Sequence, residues 1–279
     1  MQGPRAVLRN ARYAAPRQVE RILPGPGPDA AARRCRLLAR GGLAATVGYF
    51  QPSRARPDEI VAAYQAVAKL LTDREGDVYL SVKAPPLRFD AGHLRAVADC
   101  AAQAGLALTF DAHARRDADP TLAAVSDFLD SFPGTGFALP ARWRRSPSDA
   151  ADFRDSSARI RIVKGEWADP DGDEADVAAS YVALAARLAG RAAPVAVATH
   201  DPDLAERALS LLIEAGTPCE LEQLRGLPSR RTMAVASRLG VAARIYVPFG
   251  PGWWAYALDK ALARPYLPAW MIRDRLGPV

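Results

Sequence analysis

Eight short apolar runs punctuate the chain, at 43–50 (LAATVGYF), 77–83 (DVYLSVK), 106–111 (LALTFD), 135–140 (TGFALP), 158–164 (ARIRIVK), 193–199 (APVAVAT), 217–222 (TPCELE) and 241–247 (VAARIYV). Runs of this length, rich in β-branched residues and bounded by turn formers, read as buried strands. Between them the apolar positions recur at helical spacing. ADVAASYVALAARLAG from Ala175 and DPDLAERALSLLIEAG from Asp201 show it most clearly, and each closes on a glycine suited to the position past a helix end. Strand and helix alternating at intervals of about thirty residues predict a parallel (β/α)8 barrel of the TIM type. An open doubly wound sheet is the alternative, but no GxGxxG loop follows the first run. Before the first strand, Asp29 to Arg40 reads as a helix ended by Gly41 and Gly42, and the PGPGP stretch at 24–28 reads as a linker. The expected organisation is a short N-terminal helical arm with its linker over 1–28 and a single barrel over 29–279.

Composition narrows the class without naming a function. At 279 residues, 49% hydrophobic and 24% charged, the chain can build a core without disulfide or metal staples. No apolar run approaches the roughly eighteen residues of a membrane span, and MQGPRAVLRN lacks the apolar stretch of a signal peptide, so a cytoplasmic protein is expected. Cys35, Cys100 and Cys219 show no CxxC spacing and are expected to be small core residues. The net charge of +6 is spread along the chain instead of gathered into runs, which disfavours a nucleic-acid partner. Among the 37 basic residues only Lys69, Lys83, Lys164 and Lys260 are lysines. Where arginine is so strongly preferred, a lysine marks a position at which the guanidinium fork does not serve; Lys69 is expected simply to lie on a helix surface.

In a (β/α)8 barrel the chemistry sits at the C-terminal strand ends. There the predicted strands place Lys83, Asp111 with His113 beyond it, Arg161 and Lys164, the Thr199-His200-Asp201 run, and Arg244 with Tyr246. Convergence of these scarce lysines and histidines on one rim points to a site.

These segments resemble the proline dehydrogenase family, FAD-dependent barrel enzymes that oxidise proline to pyrroline-5-carboxylate. The resemblance is carried in order by ARGGLAATVGYF, YLSVKAPPL, LTFDAH, RIRIVKGEW, VATHD, ELEQLRGL and YVPFGPGWWAYALDKALARP, from about Asp29 onward. It implies noncovalent FAD across the strand ends and hydride transfer from a substrate C–H to flavin N5. It also implies that Arg161 lies beside the flavin N5 and pyrimidine side. Val163, Lys164, Gly165 and Trp167 would line the cofactor, and Thr199, His200 and Asp201 would hold its phosphate or ribose side. Lys83, Asp111, Leu224, Tyr246 and Tyr256 match the substrate pocket. A cation beside the pyrimidine stabilises an anionic reduced ring, so the role given to Arg161 is chemically sound; pairing with a carboxylate such as Glu222 is its alternative. Trp253 and Trp254 are expected to pack the last helix on the barrel.

The chain departs from the family after YVPFG. Two adjacent arginines that clamp the proline carboxylate are replaced by Asp259 and Lys260, and the glutamate that pairs them is Ala263. Asp259 and Lys260 lie at i+3 and i+4 from Tyr256 and share its helix face. A flavin-facing glutamine is Pro140, the following aromatic is Arg142, and the usual acidic pair after strand three is Asp111 with His113. The leading expectation is therefore an FAD-dependent dehydrogenase acting on an amine, imino-acid or hydrazine-like substrate other than free proline, reoxidised by a quinone or oxygen. A true proline dehydrogenase whose carboxylate is held by Lys83 and Lys260 is the runner-up. A Schiff-base lyase using Lys83 or Lys164 and a flavin-free pseudoenzyme are further alternatives. No metal is expected, because Asp111, His113 and His200 make a poor ligand set.

Overall fold

The computed structural model describes Leu23 and residues 25–276; the expected N-terminal arm lies outside the described residues except at its very end. Helix α1 (Pro28–Arg40) leads into β1 (Ala44–Tyr49), followed by α2 (Pro57–Lys69), β2 (Val78–Val82), α3 (Ala91–Gln103), β3 (Ala107–Phe110), α4 (Ala118–Leu129) and β4 (Gly136–Pro140). Then come α5 (Ser146–Asp152), β5 (Arg159–Val163), α6 (Val177–Leu188), β6 (Val195–Ala198), α7 (Pro202–Glu214), β7 (Cys219–Leu224), α8 (Arg230–Arg238), β8 (Ala242–Phe249), α9 (Trp253–Leu262) and α10 (Leu267–Leu276). The eight strands pair in parallel in sequence order and β8 returns to β1, which closes the barrel.

Each βα unit follows local chemistry. Asp201 caps α7 by accepting from the Leu204 N–H, Pro202 occupies the first turn, and Leu204, Ala205, Ala208, Leu209 and Leu212 form its buried stripe. Gly216, with φ of 70°, carries the chain out of the helix. Helix α6 begins at Val177 and not at Ala175, because Asp176 takes the cap and accepts from the N–H groups of Ala178 and Ala179. Strands β7 and β8 run beyond their expected ends, to Leu224 and Phe249. There Gln223 and Leu224 pair with Ile245 and Tyr246, and Gly48 and Tyr49 pair with Pro248 and Phe249. Barrel closure thus extends pairing through the polar Gln223 and through Pro248.

Alternation along the strands sorts the barrel into a dry jacket and a charged interior. Val78, Leu80, Val82, Ile160, Ile162 and Leu221 belong to the apolar core. Several of the intervening residues also meet partners on strands that are not their neighbours, across the barrel axis: Arg159 on β5 reaches Glu220 on β7 and Tyr79 on β2, and Arg161 on β5 reaches Glu222 on β7. At the base, Arg159 and Arg244 both reach Glu220 and both lie over the Tyr79 ring. Arg244 is fully buried and also donates to the Ala45 carbonyl at 2.6 Å. One storey higher, Ser81, Arg161, Glu222 and Tyr246 form the floor of the candidate site.

Two further expectations change. Cys35 is fully buried in the core, whereas Cys100 and Cys219 are only partly buried and pack against it. The PGPGP stretch is not a free spacer where it is described, because the Pro26 carbonyl accepts from the Gly250 N–H at 2.8 Å, joining it to the corner between β8 and α9. Lys69 is exposed on α2, as expected of a surface lysine.

Candidate active site

At the C-terminal end of the barrel, Asp111 is held from four directions. Arg161 and Lys83 pair with it, Lys83 Nζ lying 3.4 Å from Oδ2. The Ser81 hydroxyl donates to it at 2.6 Å and the Tyr246 hydroxyl at 3.1 Å. Burial alone would raise the Asp111 pKa, but the two cations and two hydroxyl donors outweigh it and hold the carboxyl below its ordinary value. Tyr246 reaches this position because β1 carries glycine opposite it: a Cβ on Gly48 would stand 1.8 Å from the Tyr246 hydroxyl oxygen. Lys83 also donates to the Tyr49 carbonyl at 3.0 Å and sits 4.1 Å from the Phe50 ring centroid. Burial dominates for this ammonium and lowers its pKa, with Asp111 offsetting only part.

Arg161 makes the carboxylate pair that the sequence offered as the alternative to a cofactor role. It lines the cleft and it pairs with Glu222 at 3.1 Å as well as with Asp111. Burial disfavours its charge, but the two carboxylates prevail and raise its pKa. Its Nε is buried with no partner among the described residues, a donor left for a ligand acceptor.

The cleft has two connected lobes, of about 440 and 820 Å³, which share Val163, Gly165, Glu166, Thr199 and Tyr256. Lys83, Asp111, Arg161, Trp167, Leu224 and Tyr246 line the first. Lys164, Asp201 and Lys260 line the second, together with Arg225, Arg231, Arg264 and Arg273 and the rings of Trp254, Tyr266 and Trp270. A buried unpaired guanidinium donor at one end, with cations and aromatic faces at the other, fits FAD: the cations suit its pyrophosphate and the rings suit its base. His200 touches both lobes, yet its nitrogens are taken. Nδ1 lies 2.7 Å from the Pro228 carbonyl, and Nε2 accepts from the Leu224 N–H at 3.0 Å, which makes the ring neutral and fixes its tautomer. Burial lowers its pKa accordingly. Thr199 accepts from the Asp201 N–H, and Asp201 lies 3.3 Å from Lys164 Nζ.

The loop after β5 crosses above the cleft and is tied to the end of β4. Arg142 pairs with Asp173 and donates to the Gly165 and Glu166 carbonyls, while the Trp143 indole donates to the Trp167 carbonyl at 2.8 Å. Gly165 has φ of 96°, and a Cβ there would stand 2.8 Å from the Arg142 side chain. The loop presents Glu166 to α9, where its Oε2 accepts the Tyr256 hydroxyl at 2.9 Å and its Oε1 lies 2.5 Å from Lys260 Nζ. Burial, and then the neighbouring Glu166 charge, push the Tyr256 pKa up.

Asp259 does not line either lobe; its Oδ2 stands 3.5 Å from Lys260 Nζ. Trp253 packs as expected, against Phe50 and Tyr256. Trp254 does not: it is 43% exposed and lines the cationic lobe. His113 lies against Trp167 and Asp117, and no group of three or more possible metal ligands occurs among the described residues. Sequence reasoning missed Ser81, Glu166 and the cations after β7. Glu166 lay inside RIRIVKGEW between two residues already assigned, and its charge was the available signal.

A closed parallel barrel with an ionised carboxylate, two cations and a tyrosine beneath a long cationic cleft defines a barrel enzyme built for an extended anionic cofactor. The family model described as Proline dehydrogenase matches residues 34–253, and the chain belongs to that family. It is a flavin-dependent oxidoreductase whose cofactor is FAD. Proline dehydrogenase 1 of Bacillus subtilis subsp. natto is 26% identical over 92% of this chain and 90% of its own. Proline dehydrogenase 2 of Bacillus subtilis (strain 168) is 22% identical over 82% and 81%. Among solved structures, proline utilization A (PutA) from Bdellovibrio bacteriovorus inactivated by N-propargylglycine superposes with a TM-score of 0.74 at 18% identity over 90% of this chain. PutA from Corynebacterium freiburgense gives 0.67 at 18% over 97%. The chain spans about a third of the length of these two PutA chains, and the likeness shows the barrel fold.

Proposed function

We propose that the protein oxidises the C–N or N–N group of an amine, imino-acid or hydrazine-like compound other than free proline, with noncovalent FAD along the cleft. The bound flavin supplies the hydride acceptor, at N5, and a quinone or oxygen in the cytoplasm takes the electrons onward. The residues of the chain prepare that step. Arg161 would offer positive charge to the pyrimidine side of bound FAD, and Lys164, Thr199 and Asp201 would border its phosphate and ribose side with the arginines of the second lobe. Asp111 stays ionised and accepts hydrogen bonds, which suits a substrate N–H, while Lys83 orients it. Phe50, Tyr246 and Tyr256 exclude water from the reacting end.

The observation that carries the non-proline reading is the state of Lys260. It stands where the family has an arginine, and its ammonium is already shared between Glu166 and Asp259. A single shared ammonium is a weaker carboxylate partner than a bidentate fork. The names of the relatives favour a second reading, in which proline itself is the substrate and Lys83 and Lys260 hold its carboxylate. Proline-dependent flavin reduction in the wild type and in the Asp259→Arg, Lys260→Arg double variant separates the two. The proposed reading expects poor proline turnover in the wild type and a gain in the variant; brisk wild-type turnover of proline overturns it.

A further inference from the structure

Glu166 places a carboxylate of the chain itself on the α9 side chains that would meet a substrate carboxylate. One oxygen accepts the Tyr256 hydroxyl and the other pairs with Lys260. Tyr256 and Lys260 are four residues apart on α9, and both line the cleft. In the resemblance described above, Tyr256 belongs to the substrate pocket and Lys260 takes the place of a carboxylate-clamping arginine.

The contact is built, because the loop that carries Glu166 is fastened at several points. Arg142 clasps the Glu166 carbonyl at 2.9 Å and pairs with Asp173 on the far side of the loop. The Glu174 N–H returns to the Arg142 carbonyl at 2.8 Å, and the Trp143 indole holds the Trp167 carbonyl. Arg142 stands where the family has an aromatic, so the residue that fastens the loop is a feature of this chain. Asp259, which replaces a clamping arginine, is a second such change and lies beside Lys260.

We infer that Glu166 is a specificity-determining residue that fills the anion position from within the chain, so that the substrate is an amine that carries no carboxylate on either carbon bonded to its nitrogen. The description of the substrate rests on the amine-oxidation reading above; the filling of the anion position does not. A tethered carboxylate meets Lys260 at a high effective concentration. A substrate carboxylate must displace it, and then leaves two like charges competing for one ammonium that also faces Asp259. A cyclic or secondary amine without a carboxylate meets no such competitor, and its positive charge is favoured by the same acids.

The test uses the FAD-loaded protein and cyclopentanecarboxylate, an inert ring bearing the anion alone, with its dissociation constant measured by calorimetry. In Glu166→Ala, Lys260 and Tyr256 are released, and binding is expected to tighten by about tenfold or more over the wild type, the scale of one partly desolvated charge pair. The gain should vanish in Glu166→Ala combined with Lys260→Ala. Should Glu166→Ala not fold, Glu166→Gln keeps an acceptor for Tyr256 while removing the charge, and a smaller gain is expected. Equal binding in the wild type and whichever of these variants folds overturns the inference, as does a gain that persists without Lys260. A parallel anaerobic titration with pyrrolidine separates the two proposals. A Lys260-dependent gain in anion binding without flavin bleaching by pyrrolidine or other carboxylate-free amines supports the anion position and overturns the amine reading.

Discussion

Asp111 concentrates the electrostatics of the site in one residue. Its carboxyl is held below its ordinary value of 3.8, so it contributes stability at neutral pH that is lost as the pH falls through the folded value. Asp111→Asn leaves Arg161 and Lys83 without a shared partner. It should cost about 3 kcal/mol at neutral pH in denaturant unfolding, typical of a buried pair deprived of one member. The loss of stability on acidification below pH 3.8 should become shallower in this variant; an unchanged acid limb would show that the carboxyl titrates normally. Arg161→Ala removes the cation and the unpaired Nε together. Flavin affinity should weaken, or the reduction potential drop, by about 3 kcal/mol equivalent, the scale of a charge-assisted contact in a preorganised site. Unchanged spectra and potential would confine Arg161 to its ion pairs with Asp111 and Glu222.

At the scale of elements, the loop after β5 carries Glu166 to Tyr256 and Lys260 of α9. Gly165→Ala forces a side chain onto φ of 96° and against Arg142 and Pro140. The cost should be about 1 to 3 kcal/mol, with FAD release on mild heating at lower temperature than in the wild type. A variant as stable as the wild type would mean that the loop relaxes freely. Arg142→Ala should shift the same loop without touching the barrel floor, and hydrogen exchange across residues 164–176 reads that shift directly. The strands were legible because a buried parallel strand reads as a short apolar run between breakers; Lys83 and Asp111 were legible because they end such runs, and Arg161 because it interrupts one. The Glu166 contact was not, since it depends on where a loop returns over a helix more than eighty residues away. The position of Asp259 was equally hidden: i+3 from Tyr256 fixes a shared face, and the edge of the cleft is set by tertiary packing.

For the molecule as a whole, the charged interior separates two tasks stacked along one axis. The pattern R-I-R in β5 and E-L-E in β7 alternates apolar residues outward with charges inward; the upper pair, Arg161 and Glu222, was read from it, and the lower one, Arg159 and Glu220, was not. The lower storey of Arg159, Glu220, Arg244 and Tyr79 plugs the barrel base; the upper storey meets the cleft. Glu220→Gln strips the acid that two buried arginines share. It should destabilise the fold by about 3 to 5 kcal/mol while leaving the flavin spectrum as in the wild type; a changed spectrum would show that the storeys are coupled. Saturating FAD should stabilise the folded chain, by about 4 kcal/mol at a thousandfold excess over the dissociation constant, and the cofactor should be released into solution on denaturation.

Among the described residues no helix is long and apolar enough to cross a membrane. The most direct measurement is anaerobic mixing of the FAD-loaded wild-type protein with L-proline and, separately, with pyrrolidine, followed by the flavin absorbance. Fast bleaching with pyrrolidine and bleaching at least about a hundredfold slower with L-proline is the result expected of a cleft whose anion position is filled by Glu166. Bleaching by L-proline as fast as by pyrrolidine, or faster, contradicts it.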